Sequence, residues 1–246
     1  MIVLFLLILS IFAYLPNTCT NAGLIAIVFD DGPTDYTEEI LEIADRNNIP
    51  LSFHFTINQR LSGDMREIYR KVVEGGHTLG LRVNPKRDYD TMSYEEVQED
   101  IERQIAGINK EGDTNIKFAK APEDNGSYNT DVYNVLRENN ITQSSSIFSP
   151  YTYSDPVSEF KEMLGTSSNK FDSFIIQMHD YKEKEDGYLQ DFIDAGKDEG
   201  YTFVNLEDCL GDYKPEKNDQ KKSSLKSDGV TDIFILPLIT LIFYII

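Results

Sequence analysis

The sequence predicts an α/β fold built on a parallel sheet, and three observations carry the prediction. Short continuous apolar runs such as Leu24–Phe29 stop at turn residues, as strands buried on both faces do. Between these runs lie stretches with apolar residues at helical spacing. The two patterns alternate along the chain six times or more, which favours closure of the sheet into a barrel.

Taken in order, LIAIVF is the first strand, stopped by Asp30, Asp31, Gly32 and Pro33, and DYTEEILEIADRNN is the helix after it. LSFHFTIN is the second strand, DMREIYRKVVEGG a helix ended by glycines, and HTLGLRV the third strand. SYEEVQEDIERQIAGIN opens on Ser93 with Glu96 three residues later, a capping box. IKFAKA, NTDVYNVLRENN, ITQSSSIF, VSEFKEMLG, DSFIIQMH, LQDFIDAGKDEG and YTFVNL continue the alternation. In parallel α/β folds sites are built just past the strand C-termini, where Asp30, Asp31 and His179 fall.

With 246 residues, 40% of them hydrophobic, the chain has enough apolar surface for one domain with a substantial core. A formal net charge of −19 argues against nucleic acid or any other polyanion as partner.

Both ends read as processing signals. Residues 1–22 begin with an apolar run of secretory-leader length, with small residues Thr20 and Ala22 suited to cleavage after Ala22 or a few residues earlier. Residues 232–246 are apolar but too short to span a bilayer, and contain Pro237. With the polar linker 214–231 and the small residues Ser223, Ser224, Ser227, Asp228 and Gly229, they read as a GPI signal, or alternatively as a short membrane anchor. The domain between them, residues 23–213, is expected on the outer face of a plasma membrane or in a cell wall. Cys19 and Cys209 either form a disulfide or are separated by cleavage, leaving Cys209 free. Asn125 and Asn140 begin N-glycosylation sequons.

VFDDGP, GGHTLGLRVNPK, FAKAPEDNGSYN and FIIQMHD, in this order, resemble the motifs of the polysaccharide deacetylases of the NodB-homology class, carbohydrate esterase family four. The resemblance runs from about Leu24 to Leu206. It implies a distorted (β/α) barrel and N-acetylated polysaccharides, of chitin or peptidoglycan type, as the substrate class. It also implies metal-assisted amide hydrolysis, with a divalent ion such as zinc or cobalt, a carboxylate base and a histidine acid.

By this resemblance Asp30 matches the base, Asp31 a metal ligand and His179 the acid. The two ligand histidines fall on Arg82 and Lys86, which offer a metal no lone pair at neutral pH and repel a dication. The arginine that orients the base is replaced by Lys120, the aspartate that tunes the acid aligns with Ser149, and a groove-lining leucine aligns with Gln177. His54 stands where the family has phenylalanine and reads as a satisfied core histidine; His77 matches a framework position. Arg82 is expected to pair with Asp30 or Asp31, an internal cation in place of a bound one. No cofactor is therefore expected.

Three functions follow. The first is a surface-anchored deacetylase homologue that is inactive and retains at most a polysaccharide-binding or wall role. The second is an active N-deacetylase of N-acetylglucosamine polymers, using unrecognised ligands or the two cations as electrophile. The third is a protein-interaction module on the cell surface.

Overall fold

A computed structural model of the chain describes residues 15–57, 65–124, 127–180, 183–211 and 213. Seven strands form one sheet with parallel pairings throughout: β1 (Leu24–Gly32), β2 (Ser52–Phe55), β3 (Thr78–Arg82), β4 (Phe118–Lys120), β7 (Thr142–Gln143), β8 (Phe174–His179) and β9 (Thr202–Val204). The order is β7-β4-β3-β2-β1-β8, with β9 also paired to β1. The remaining pair, β5 (Glu123–Asp124) and β6 (Ser127–Tyr128), is a small antiparallel hairpin after β4.

The helices are α1 (Thr37–Asn47), α2 (Met65–Glu74), α3 (Tyr94–Gly112), α4 (Thr130–Glu138), α5 (Pro156–Gly165), α6 (Glu183–Asp198) and α7 (Leu206–Leu210). The start of α3 is fixed by the expected box: Ser93 Oγ accepts from the Glu96 N–H, and Glu96 accepts from the Ser93 N–H.

Alternation along β1 sorts its side chains into two layers. Ile25, Ile27 and Phe29 belong to the core shared with Ile40 and Ala44 of α1 and Phe192 of α6. Ala26 and Val28 point the other way and meet Phe118 of β4, Ile175 of β8 and Leu206 of α7. Strands four places apart in the sheet touch on that second face, so the sheet curls, and the face is the interior of a partial barrel.

The segment read as one strand, ITQSSSIF, is divided. The Ser144 N–H donates to Ala119 O of β4, whereas the Ile147 N–H donates to Ile175 O and the Gln177 N–H to Phe148 O. The chain therefore leaves one edge of the sheet and joins the other, and Ser144–Ser146 form the seam. A single strand cannot do this, because β4 and β8 lie on opposite sides of the opening.

Residues before β1 also belong to the fold. Pro16 O accepts from the Ser145 N–H, Asn17 O from the Ile175 N–H, and Cys19 O from Ser173 Oγ. Cys19 and Cys209, both buried, are joined as a disulfide with Cα atoms 4.5 Å apart. Leu15 is buried beside Tyr133, so the residues ahead of β1 pack on the domain as a strap. Residues 1–14, Asn125, Ser223, Ser224, Ser227, Asp228, Gly229 and the apolar tail lie outside the described residues. Among the described residues, no helix is long and apolar enough to cross a membrane.

Candidate functional site

The site is built at the C-terminal end of β1. Asp30 stands opposite His54 of β2, and Gly32 opposite Phe55, so Asp31 is an extra residue, a bulge at the barrel rim. Asp31 takes a left-handed conformation, φ 70°, which aspartate tolerates better than most residues. Strict alternation would send Asp31 to the helix layer. The bulge instead lets it reach inward-facing groups on two other strands.

Those groups are cationic or can become so. Arg82 Nε donates to Asp31 Oδ1 at 2.7 Å, and Arg82 Nη1 donates to the Lys120 carbonyl at 3.3 Å. His179 Nε2 lies 3.7 Å from Asp31 Oδ2. Asp31 is 23% exposed and Arg82 13% at the side chain, so the pair sits at the barrel mouth, partly screened from water. Tyr151, 65% exposed, holds its ring edge towards His179 with centroids 6.1 Å apart.

Asp30 faces differently. Its Oδ1 lies 2.8 Å from His54 Nδ1, and both side chains are almost wholly buried. Burial alone would push the Asp30 carboxyl up, but the His54 hydrogen bond and the charges of His54, Arg82 and Lys120 outweigh it and hold it below the usual carboxylate range. His54 fits because β3 presents Gly80 there: a Cβ on Gly80 would lie 2.6 Å from His54 Cδ2. Behind this pair is a small cavity also lined by Lys120, Ser144, Ser146 and Gln177.

Asp180, directly after β8, holds the turn that carries Asp31. Thr37 Oγ1 donates to Asp180 Oδ2 at 2.7 Å, and Thr34 Oγ1 donates to the Asp180 carbonyl. Gly32 packs against this carboxyl so closely that a Cβ would overlap Oδ2. Burial pushes the Asp180 carboxyl up to about 7, with the Asp31 charge adding to the rise and the Thr37 hydrogen bond opposing it.

Residues 17–144 match the family model described as polysaccharide deacetylase. The chain belongs to the polysaccharide deacetylase family. It is 26% identical over 210 residues to a chitin deacetylase of Colletotrichum lindemuthianum, covering 79% of this chain and 82% of that one. It is 24% identical over 203 residues to a bifunctional xylanase/deacetylase of Pseudobutyrivibrio xylanivorans, covering 79% of this chain but only 33% of that protein. The solved structure of the Colletotrichum lindemuthianum deacetylase superposes with a TM-score of 0.71 at 22% identity, over 79% of this chain and 90% of the other, and shares the fold. A mutant of a carbohydrate esterase family 4 pseudoenzyme with restored enzymatic activity superposes with a TM-score of 0.63 at 16% identity, over 77% of this chain and 68% of the other.

The polysaccharide deacetylase resemblance assigns a divalent metal to Asp31 and the positions of Arg82 and Lys86. The donor set does not fit one. Asp31 Oδ1 is already the acceptor of a guanidinium hydrogen bond, and Arg82 has no lone pair to give. Lys86 is exposed in the turn after β3, where its backbone N–H donates to Asn84 Oδ1 at 3.0 Å. It is Arg82 alone, not both cations, that faces Asp31.

The other expected positions divide. Lys120 is nearly buried, and its Nζ bonds Glu123 Oε1 of the β5–β6 hairpin at 2.9 Å rather than Asp30. Ser149 precedes a short 3₁₀ turn and accepts from the Thr152 N–H through its carbonyl, and Asp31 brings a carboxylate to 3.7 Å from His179. Gln177 lines the small pocket shared with Asp30, His54 and Lys120, where Ser146 Oγ donates to its Oε1 at 3.2 Å. His77 Nδ1 accepts from the Leu51 N–H at 2.9 Å, a framework role. Asn140 is exposed, just beyond α4, with φ 57°.

Two site residues were missed in the sequence. His54 is buried as expected, yet it faces Asp30; Asp180 was not singled out. The signal available for His54 was its even spacing from Ser52 on a strand beside β1. Only the parallel register, Asp30 opposite His54, turns that spacing into contact.

Proposed function

We propose that this chain is a cell-surface homologue of the chitin-type polysaccharide deacetylases that lacks metal-dependent deacetylase activity and retains a polysaccharide-binding or wall role. The observation that carries the reading is the 2.7 Å bond between Arg82 and Asp31. The family's chemistry needs a cation that accepts a lone pair and activates water. Arg82 neutralises Asp31 but can do neither.

A fixed guanidinium can stabilise developing negative charge on an oxygen. It cannot lower the pKa of a bound water, so an attacking water would need full deprotonation by a carboxylate. His179 remains at the mouth beside Asp31, 12% exposed, and serves there as a pocket wall and hydrogen-bonding group for a sugar. Relatives named for chitin and peptidoglycan N-acetylglucosamine support an N-acetylglucosamine polymer as the ligand class. The pseudoenzyme neighbour provides precedent for loss of activity on this fold.

Location at the cell surface is supported by the Cys19–Cys209 disulfide, which persists in oxidising compartments. The apolar stretches at both ends support secretion followed by lipid anchoring.

The test is acetate release from chitin oligomers by the purified chain with zinc or cobalt supplied, beside a pull-down on chitin. The reading expects retention on chitin without acetate release. Metal-stimulated acetate release at rates typical of enzymes would overturn it.

A further inference from the structure

Asp30, the residue matched to the catalytic base, has a partner that the family pattern does not supply. Its side chain is 2% exposed and that of His54 1%, against 23% for Asp31 one residue later. Asp30 Oδ1 takes the His54 ring at 2.8 Å, while Asp30 Oδ2 and His54 Nε2 are buried without a protein partner, at the small pocket they line with Lys120 and Gln177. A general base must meet the proton it removes within about 2.6–3.2 Å, or through one water. Asp30 meets an imidazole inside the barrel instead.

The sequence departures around this pair are mutually consistent. Lys120 stands where an arginine would hold the base, and its ammonium is held by Glu123 from the hairpin after β4. The carboxylate of Asp30 is therefore left to another partner. His54, in register with it on the adjacent strand and accommodated by Gly80, fills that role.

We infer that His54 is a positioning residue that holds Asp30 inside the barrel, a block on general-base chemistry that is independent of the lost metal ligands. The inference rests on the reading of this site as a degenerate deacetylase centre. It states that repairing the ligand positions alone is insufficient.

Two measurements test it. In nitrogen NMR of the histidine rings of the native chain, His54 carries a proton on Nδ1, and Asp30→Asn shifts that resonance; a ring with Nδ1 unprotonated, or unmoved by Asp30→Asn, overturns the inference. The second compares Arg82→His/Lys86→His with the same chain carrying His54→Phe as well. Zinc titration reports the ligand repair, and acetate release reports the base. The expected result is equal zinc affinity and at least about tenfold faster acetate release with His54→Phe, equivalent to about 1.4 kcal/mol off the activation barrier. Equal rates, zero included, or loss of zinc binding on His54→Phe overturn it. Acetate release by the unaltered chain would instead contradict the function proposed above, so the two failures are distinguishable.

Discussion

Arg82 Nε lies 2.7 Å from Asp31 Oδ1, where the family pattern calls for a histidine and a shared metal ion. The contact joins the rim bulge of β1 to the end of β3 and is braced by the second bond from Arg82 to the Lys120 carbonyl. The chain thus supplies its own positive charge to a turn that would otherwise present carboxylates to each other and to solvent.

Removing that charge exposes its structural role. Arg82→Ala leaves Asp31, 23% exposed, without its guanidinium donor and is expected to cost about 1–2 kcal/mol. Urea denaturation of parent and variant measures the difference. Arg82→Lys recovers only part of it, because an ammonium cannot donate to Asp31 and the Lys120 carbonyl in the same planar geometry.

The disulfide closes the barrel end opposite the site. Cys19→Ser or Cys209→Ser is expected to lower stability by about 2–5 kcal/mol, and a reducing agent should do the same to the parent and nothing further to the variants. Denaturation midpoints with and without reductant check this. Trimming the chain to Gly23 removes both the bridge and the strap bonds from Pro16, Asn17 and Cys19, and is expected to be worse than either cysteine variant.

Asp180 and Asp30 pull the pH dependence of stability in opposite directions. Between the ordinary carboxylate value and about 7, Asp180 stays protonated in the folded chain and ionised in the unfolded one, so stability from this group falls as pH rises through that window. Asp30, held low, contributes stability above the ordinary carboxylate value that is lost as pH falls through its folded value. Asp180→Asn is expected to gain on the parent as pH rises from about 5 to about 8. Stability measured in denaturant at both pH values decides it; a pH-independent difference would count against the buried carboxyl.

Tyr151 offers an exposed ring beside His179 at the mouth. If the groove binds sugar, Tyr151→Ala is expected to weaken chitin-oligomer binding by about tenfold, the loss of about one well-packed contact, without altering the denaturation midpoint. Calorimetry with oligomers reads the first and urea the second.

Much of this was legible in the chain. Apolar period and turn residues place β1 to β4, β8 and most helices, and Ser93 with Glu96 fixes the start of α3. Charge and motif position point Arg82 at Asp30 or Asp31, and the structure shows that Asp31 is the partner. Periodicity did not show which strands lie side by side, so the Asp30–His54 contact and the division of ITQSSSIF between two sheet edges required the register. Nor did it show that Leu15–Ala22 pack on the domain, because a short strap without regular structure has no period. Asp180 was hidden for a related reason: its partners, Thr34 and Thr37, lie near the other end of the chain.

Whether Arg82 stands in for the metal at Asp31 is decided by calorimetric titration of the purified chain with zinc. The expected result is no specific zinc binding by the parent, and its appearance, at least about tenfold above any background, in Arg82→His/Lys86→His. Tight stoichiometric binding by the parent, lost in Asp31→Ala, would contradict it.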